Sequence, residues 1–193
     1  MTPPVLIIPG WNDSGPGHWQ TLWERANPGW TRVEQADWDH PDPAEWIATL
    51  DRAVKAAAAA PLLVAHSLGA LAVAAWAAAR PDARVAGALL VAPADVERAD
   101  APAELRPFAP VPMERLPFPS ILVASRDDPH LAWSRAEALA AAWGARLHDA
   151  GLAGHLNADA GFGPWPGGER LLAELASEST TQDPAPGPTG GRG

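Results

Sequence analysis

The most informative stretch of the chain is residues 62–69, which read Leu62-Leu63-Val64-Ala65-His66-Ser67-Leu68-Gly69. Its first four residues form an uninterrupted apolar run, which is typical of a β-strand buried on both faces. An alanine-rich segment ending near Arg80 follows and predicts a helix. Ser67 therefore lies at a sharp turn between a buried strand and a helix, which is the context of a nucleophile elbow.

This turn makes demands that the neighbouring residues meet. It predicts a positive φ at Ser67, and it requires small residues two positions before and after, because the strand and helix pass close together. Ala65 and Gly69 are small enough. The turn would also direct the backbone N–H of Leu68 toward a developing oxyanion. Taken alone, the pattern equally fits a serine that only caps a packed helix.

A base and an orienting carboxylate follow in the order that an elbow requires, which is serine, acid, histidine. Asp128 comes just after the predicted strand 120–125, and His155 lies in the loop after the next predicted strand, 145–149. We interpret Ser67 as the nucleophile, His155 as its base and Asp128 as the group that fixes the imidazole tautomer. Asp127 remains an alternative acid at this stage.

The loop after the first predicted strand, residues 5–8, is the expected source of a second oxyanion donor. The backbone N–H of Trp11 is placed for this role, since Gly10 allows the chain to turn there. The same glycine-rich loop lacks both the lysine of a phosphate-binding loop and the third glycine of a dinucleotide fingerprint. No nucleotide cofactor is therefore expected.

The pattern of segments predicts an α/β fold with a mostly parallel sheet and helices on both faces. Further strands are predicted at residues 31–36 and 85–92, and helices at 18–25, from Pro43 after an Asp42 cap, and at 131–143. Residues 93–119 are rich in proline and predict an irregular excursion. We expect one domain over residues 1–176 and a disordered tail over 177–193.

Composition narrows the possible partners. The 193 residues carry a net charge of −9 with pI ≈ 5.0, which disfavours nucleic acid as a partner. No cysteine is present and no apolar run is long enough to cross a membrane, so we expect a soluble, cytoplasmic protein. No two histidines have metal-ligand spacing, and the polar residues between 37 and 42 are interpreted as a solvated loop. Neither a metal nor another cofactor is expected.

Five short runs together resemble the small serine hydrolases of the retinoblastoma-binding-protein-nine and YdeN family. They are PGWNDSGPGHWQTLWE at 9–24, QADW at 35–38, AHSLG at 65–69, SRDDP at 125–129 and GHLN at 154–157. The resemblance implies a minimal α/β-hydrolase fold with no large cap domain, and a triad of Ser67, Asp128 and His155. The retinoblastoma-protein link of the family's namesake uses a cysteine-containing motif, so that partner is not expected here.

These observations predict a cofactor-free serine hydrolase that acts on a small carboxylic ester or related acyl compound through an acyl-enzyme. Two alternatives stay open, which are a hydrolase-like binding module and an acyltransferase that uses the same residues. The sequence leaves open the oligomeric state and the choice among ester, thioester and amide. Simple packing of the excursion on the core is favoured for two of the candidate pocket residues, Phe108 and Met113. The full set of pocket candidates is Trp11, Trp19, Leu68, Phe108, Met113 and Trp165.

Overall fold

The structure is a computed structural model that describes residues 3–181. It contains a six-stranded sheet in which every strand pairing is parallel. The strand order is β2-β1-β3-β4-β5-β6. The strands are β1 Val5–Ile8, β2 Trp30–Arg32, β3 Leu62–His66, β4 Gly87–Val91, β5 Ser120–Ala124 and β6 Arg146–Asp149. The helices are α1 Trp19–Ala26, α2 Pro43–Ala56, α3 Leu68–Ala79, α4 Trp133–Trp143 and α5 Pro166–Thr181. The predicted fold class is confirmed.

Alternation along β3 separates two hydrophobic cores, one on each face of the sheet. Leu63 and Ala65 join the core that contains residues of α2, α3 and α4. Leu62 and Val64 join the core that contains residues of α1 and α5. The strand is buried along its whole length because both of its faces are covered.

The chain from 93 to 119 is the predicted excursion, and its one regular element is a short 3₁₀ helix, Ala103–Phe108. It is nevertheless anchored, because Leu105, Phe108 and Leu116 are buried in the core on the α2–α4 face. The ring of Phe108 packs edge-on against Trp46 at 5.8 Å. The excursion thereby forms a fixed rim beside the carboxyl ends of the central strands.

Two differences from the sequence expectation concern the ends of elements. β2 stops at Arg32, well short of residue 36. Helix α5 is not predicted from the sequence, and it runs to Thr181, so residues 177–181 are helical rather than part of a disordered tail. Burial of Leu171, Leu172 and Leu175 stabilises this helix. The remainder of the expected tail, 182–193, lies outside the described residues.

Candidate active site

The elbow between β3 and α3 has the geometry that the sequence predicts. Ser67 has φ 53° and ψ −121°, which confirms the predicted positive φ. A Cβ at Gly69 would collide with the carbonyl oxygens of Ile8 and Pro9. The small residue at position 69 is therefore required by the close approach of α3 to the end of β1.

Three side chains form a continuous hydrogen-bonded line at this elbow. The Oγ of Ser67 lies 3.0 Å from Nε2 of His155, and Nδ1 of His155 lies 2.9 Å from Oδ2 of Asp128. The Asp128 side chain is fully buried, and Oδ1 also accepts the backbone N–H of His130 at 2.8 Å. Because a carboxylate faces Nδ1, that nitrogen carries the proton and Nε2 presents its lone pair to the serine. This is the tautomer that a general base needs.

Asp127 has a different set of partners. Its Oδ1 accepts the hydroxyl of Ser125 at 2.6 Å and the backbone N–H of Gly154 at 2.9 Å. These hydrogen bonds hold the pKa of Asp127 below its usual range. Asp128 is therefore the carboxylate beside His155, while Asp127 fastens the histidine loop to the end of β5.

The two backbone donors predicted for an oxyanion hole lie in loops that meet. A Cβ on Gly10 would lie 2.9 Å from Cβ of Ser67 and 3.3 Å from the backbone nitrogen of Leu68. The loop after β1 thus lies directly against the elbow. Within residues 3–181, neither the N–H of Trp11 nor that of Leu68 donates to a backbone or side-chain acceptor. Both remain available for an external oxygen.

A buried arginine fixes the position of that loop. The side chain of Arg32, only 8% exposed, contacts Asp13 at 2.5 Å and Glu24 at 2.8 Å. It also donates to the hydroxyl of Thr21 at 2.8 Å. Glu24 and Asp13 raise the pKa of the guanidinium against the opposing effect of burial. One cation therefore ties β2, α1 and the Trp11 loop together.

Three further histidines, His18, His66 and His130, surround the site. The rings of His66 and His130 pack against His155 at 4.9 and 4.6 Å, and His18 packs against His66 at 4.8 Å. Nε2 of His66 bonds to the carbonyl oxygen of His155 at 2.9 Å. Burial is the largest cause of a lowered pKa in all three, and it brings that of His18 to about 4. The three rings are therefore neutral near pH 7, so they pack around His155 without adding positive charge beside it.

A cavity of about 360 Å³ opens over Ser67 and His155. Its wall includes polar residues from the loops after β1 and β6, among them Asn12 and Asn157, and from the excursion, including Arg98. Sequence reasoning chose Phe108 and Met113 from the excursion and missed the residues that line the cavity, because irregular chain carries no periodic or motif signal that shows which side chains lie over the serine. His18 was detectable in principle, since it falls within the 9–24 run.

The cavity wall differs from the predicted one. Of the six candidates, only Trp11 borders it. Trp19 is fully buried, with its indole N–H donating to the carbonyl oxygen of Leu156 at 2.8 Å, and Trp165 packs against it at 5.1 Å. Because α1 lies against the sheet, these tryptophans fill the core instead of the pocket.

The other three candidates also lie outside the cavity wall. The Leu68 side chain is buried beneath the elbow, so that only its backbone faces the site. Phe108 packs into the core against Trp46, and Met113 is 42% exposed away from the cavity wall. The interpretation favoured for Phe108 and Met113 is packing of the excursion against the core. It is correct for Phe108 and does not account for the exposed Met113.

Between residues 3 and 181, no group of three or more histidine or acidic side chains is arranged to hold a metal ion. Over the same residues, no helix has the length and apolar character needed to span a bilayer.

The parallel sheet, the elbow and the cavity define an α/β hydrolase. The chain belongs to the Serine hydrolase family, whose pattern matches residues 5–174, and the protein is a hydrolase. A YdeN-like hydrolase of Pectobacterium atrosepticum is similar, with 35% identity, 92% of each chain covered and a TM-score of 0.82. The resemblance to the YdeN group is thereby confirmed.

More distant structures share the fold. The ydeN gene product of Bacillus subtilis has 22% identity and a TM-score of 0.74, with 91% of this chain and 100% of that chain covered. An esterase, RhEst1 of a Rhodococcus species, has 15% identity and a TM-score of 0.62, with 93% and 91% covered. None of the curated proteins matches the chain.

Proposed function

We propose that the protein hydrolyses small carboxylic esters through an acyl-enzyme on Ser67. The observation that carries the proposal is the hydrogen-bonded line from Asp128 through His155 to Ser67, which ends in an open cavity. Membership of the family supports hydrolysis in general. The hydrogen-bonded line supports a specific nucleophile, Ser67, and a specific base, His155.

Acylation would begin when Ser67 Oγ attacks the ester carbonyl carbon and its proton moves to Nε2 of His155. The carbonyl oxygen then carries the negative charge, which the N–H groups of Trp11 and Leu68 would stabilise. Collapse of this intermediate breaks the bond to the alkoxide, which leaves with the proton from His155. Buried Asp128 stabilises the imidazolium while it exists.

Deacylation would repeat the same steps with water as the nucleophile. His155 accepts a proton from water, the hydroxide oxygen bonds to the acyl carbon, and Ser67 leaves with the returned proton. The carboxylic acid is then released. His155 borders the cavity, which gives water a route to this position. An alcohol in place of water would give acyl transfer by the same route.

The direct test is hydrolysis of p-nitrophenyl acetate, butyrate and decanoate by wild type and by variants of the three residues. We expect turnover of the shorter esters, and roughly a 10³-fold or larger loss of kcat in Ser67→Ala and His155→Ala. Asp128→Asn is expected to fall in the same range, whereas Asp127→Asn keeps the tautomer of His155 and should lose much less.

A matched control is His40→Asn, because the side chain of His40 is 80% exposed and lies outside the cavity wall. Turnover that persists in Ser67→Ala would refute the proposal. An inert wild type that also resists labelling by a fluorophosphonate would point to the binding module instead. Adding an alcohol and looking for a new ester distinguishes acyl transfer from hydrolysis.

A further inference from the structure

His18 is buried in the cavity wall, and one of its ring nitrogens has no hydrogen-bond partner among residues 3–181. Its Nδ1 accepts the backbone N–H of Gln20 at 3.2 Å, which caps helix α1. A nitrogen that accepts a hydrogen bond carries no proton, so a neutral ring must place its proton on Nε2. The lowered pKa of His18, about 4, keeps the ring neutral at ordinary pH.

The Nε2–H of His18 is therefore a donor, and the described residues offer it no acceptor. The residue is only 6% exposed, so bulk solvent is a poor substitute. A buried donor without an acceptor destabilises the folded protein, and such groups are rare in folded proteins. His18 borders the same cavity as Ser67 and His155, so a small rotation of its ring on substrate binding would bring the Nε2–H to a ligand oxygen there and remove this cost.

The character of the cavity points to the same kind of ligand. Only Trp11, Ala94, Pro102 and Leu105 among its fifteen lining residues are apolar. The exposed surface of the wall is nevertheless divided about evenly between polar and apolar atoms, so the cavity can pair a polar substrate oxygen while it covers a short hydrocarbon part. At about 360 Å³ the space suits a compact, oxygen-bearing molecule better than a long acyl chain.

We propose that His18 is a specificity-determining residue whose Nε2–H donates a hydrogen bond to an acceptor oxygen of the substrate, beyond the scissile ester group. The substrate class is accordingly small esters with an ether, hydroxyl or carbonyl oxygen in the acyl or the alcohol part. This inference rests on the proposed esterase function. A substrate with the oxygen pairs with the buried donor, and a purely hydrocarbon substrate leaves it unpaired.

The test uses two pairs of isosteric esters that differ by one CH₂ replaced by oxygen. The acyl pair is p-nitrophenyl butyrate and p-nitrophenyl methoxyacetate, and the alcohol pair is butyl acetate and 2-methoxyethyl acetate. Within each pair, the ratio of kcat/KM values is divided by the ratio of alkaline hydrolysis rates. This removes the intrinsic reactivity of the esters, so that the remaining preference belongs to the protein.

Two substitutions separate the two nitrogens of the ring. His18→Asn puts an amide oxygen near the position of Nδ1, which keeps the helix cap, but it does not reach the position of Nε2. His18→Gln puts an amide N–H near the position of Nε2 and loses the cap. His40→Asn is the matched control, since it changes an exposed histidine outside the cavity wall.

Wild type is expected to prefer the ether ester in one of the two pairs by roughly 3- to 10-fold, the effect of a net hydrogen bond. His18→Asn should abolish this preference, whereas His18→Gln and His40→Asn should retain it. The pair that shows the effect identifies the part of the substrate that His18 contacts. Absence of an ether preference in wild type overturns the inference even if His18→Asn does not fold.

The results distinguish this inference from the function on which it rests. Hydrolysis of butyrate that depends on Ser67, with no ether preference or with one that survives in His18→Asn, overturns the role of His18 and leaves the esterase function in place. Failure of wild type to hydrolyse any of the four esters overturns both.

Discussion

Gly10 lies where the loop that carries Trp11 packs against Ser67, and no room is left there for a side chain. Its missing Cβ would lie 2.9 Å from Cβ of Ser67, closer than side chains normally approach. Gly10→Ala should therefore push the Trp11 loop outward, weaken the second oxyanion donor and lower kcat roughly tenfold or more. The measurement is ester turnover beside thermal unfolding, with Gly17→Ala as the control because its added Cβ meets nothing within 4 Å. Equal kcat in both variants would contradict this account.

At the same scale, the sequence predicted the three side chains of the hydrogen-bonded line but not their neighbours. Ser67, Asp128 and His155 are predictable because strand ends and chain order restrict where they can lie. The choice between Asp127 and Asp128 required contacts, since adjacent residues in a loop point in directions that the sequence does not reveal. Five of the six pocket candidates lie outside the cavity wall for a similar reason, because an apolar side chain near a strand end can face either the core or the cavity.

At the scale of elements, Arg32 joins β2, α1 and the loop that carries Trp11. Removing it leaves Asp13 and Glu24 without their shared cation, so Arg32→Ala should reduce the free energy of unfolding by about 2 kcal/mol. Arg146→Ala is the control, because the Arg146–Glu174 pair is about half exposed and should contribute less than about 1 kcal/mol. Urea unfolding of both variants measures the difference, and similar losses would mean that the Arg32 network is no stronger than a surface pair.

Element existence was largely predictable, whereas element ends were not. Capping by Asp42 and proline at Pro43 placed the start of α2 correctly. Helix α5 was not predicted because its apolar residues are few and because the serine and threonine residues after Leu175 are typical of loops. The sheet supplies the missing stabilisation, since Leu171, Leu172 and Leu175 bury against it. Tertiary packing of this kind is not visible in a local pattern.

For the whole molecule, the buried histidines make stability depend on pH. The pKa of His18 is about 4 in the folded state and near 6.5 in an unfolded chain, so only the unfolded state gains this proton between those values. The contribution of neutral His18 to the free energy of unfolding is present in full above pH 6.5. About 3 kcal/mol of it is lost as the pH falls from 6.5 toward 4. Burial acts on His66 in the same direction.

The measurement is the melting temperature of wild type and His18→Asn between pH 7.5 and 4. The variant lacks this group, so its melting temperature should fall less steeply over that interval. Carboxylates titrate in both proteins, and their contribution therefore cancels in the comparison. Parallel curves for the two proteins would show that His18 does not titrate in the way described.

The hydrogen-bonded line crosses three separate strand ends, since Ser67 follows β3, Asp128 follows β5 and His155 follows β6. Within the described sheet, β6 is an edge strand that pairs with β5 on one side, so the histidine loop is attached to the part of the sheet most able to fray. Enzyme activity should consequently report whether the edge of the sheet unfolds together with the rest of the molecule. If the edge detaches first in denaturant, catalysis disappears while most of the helical signal survives.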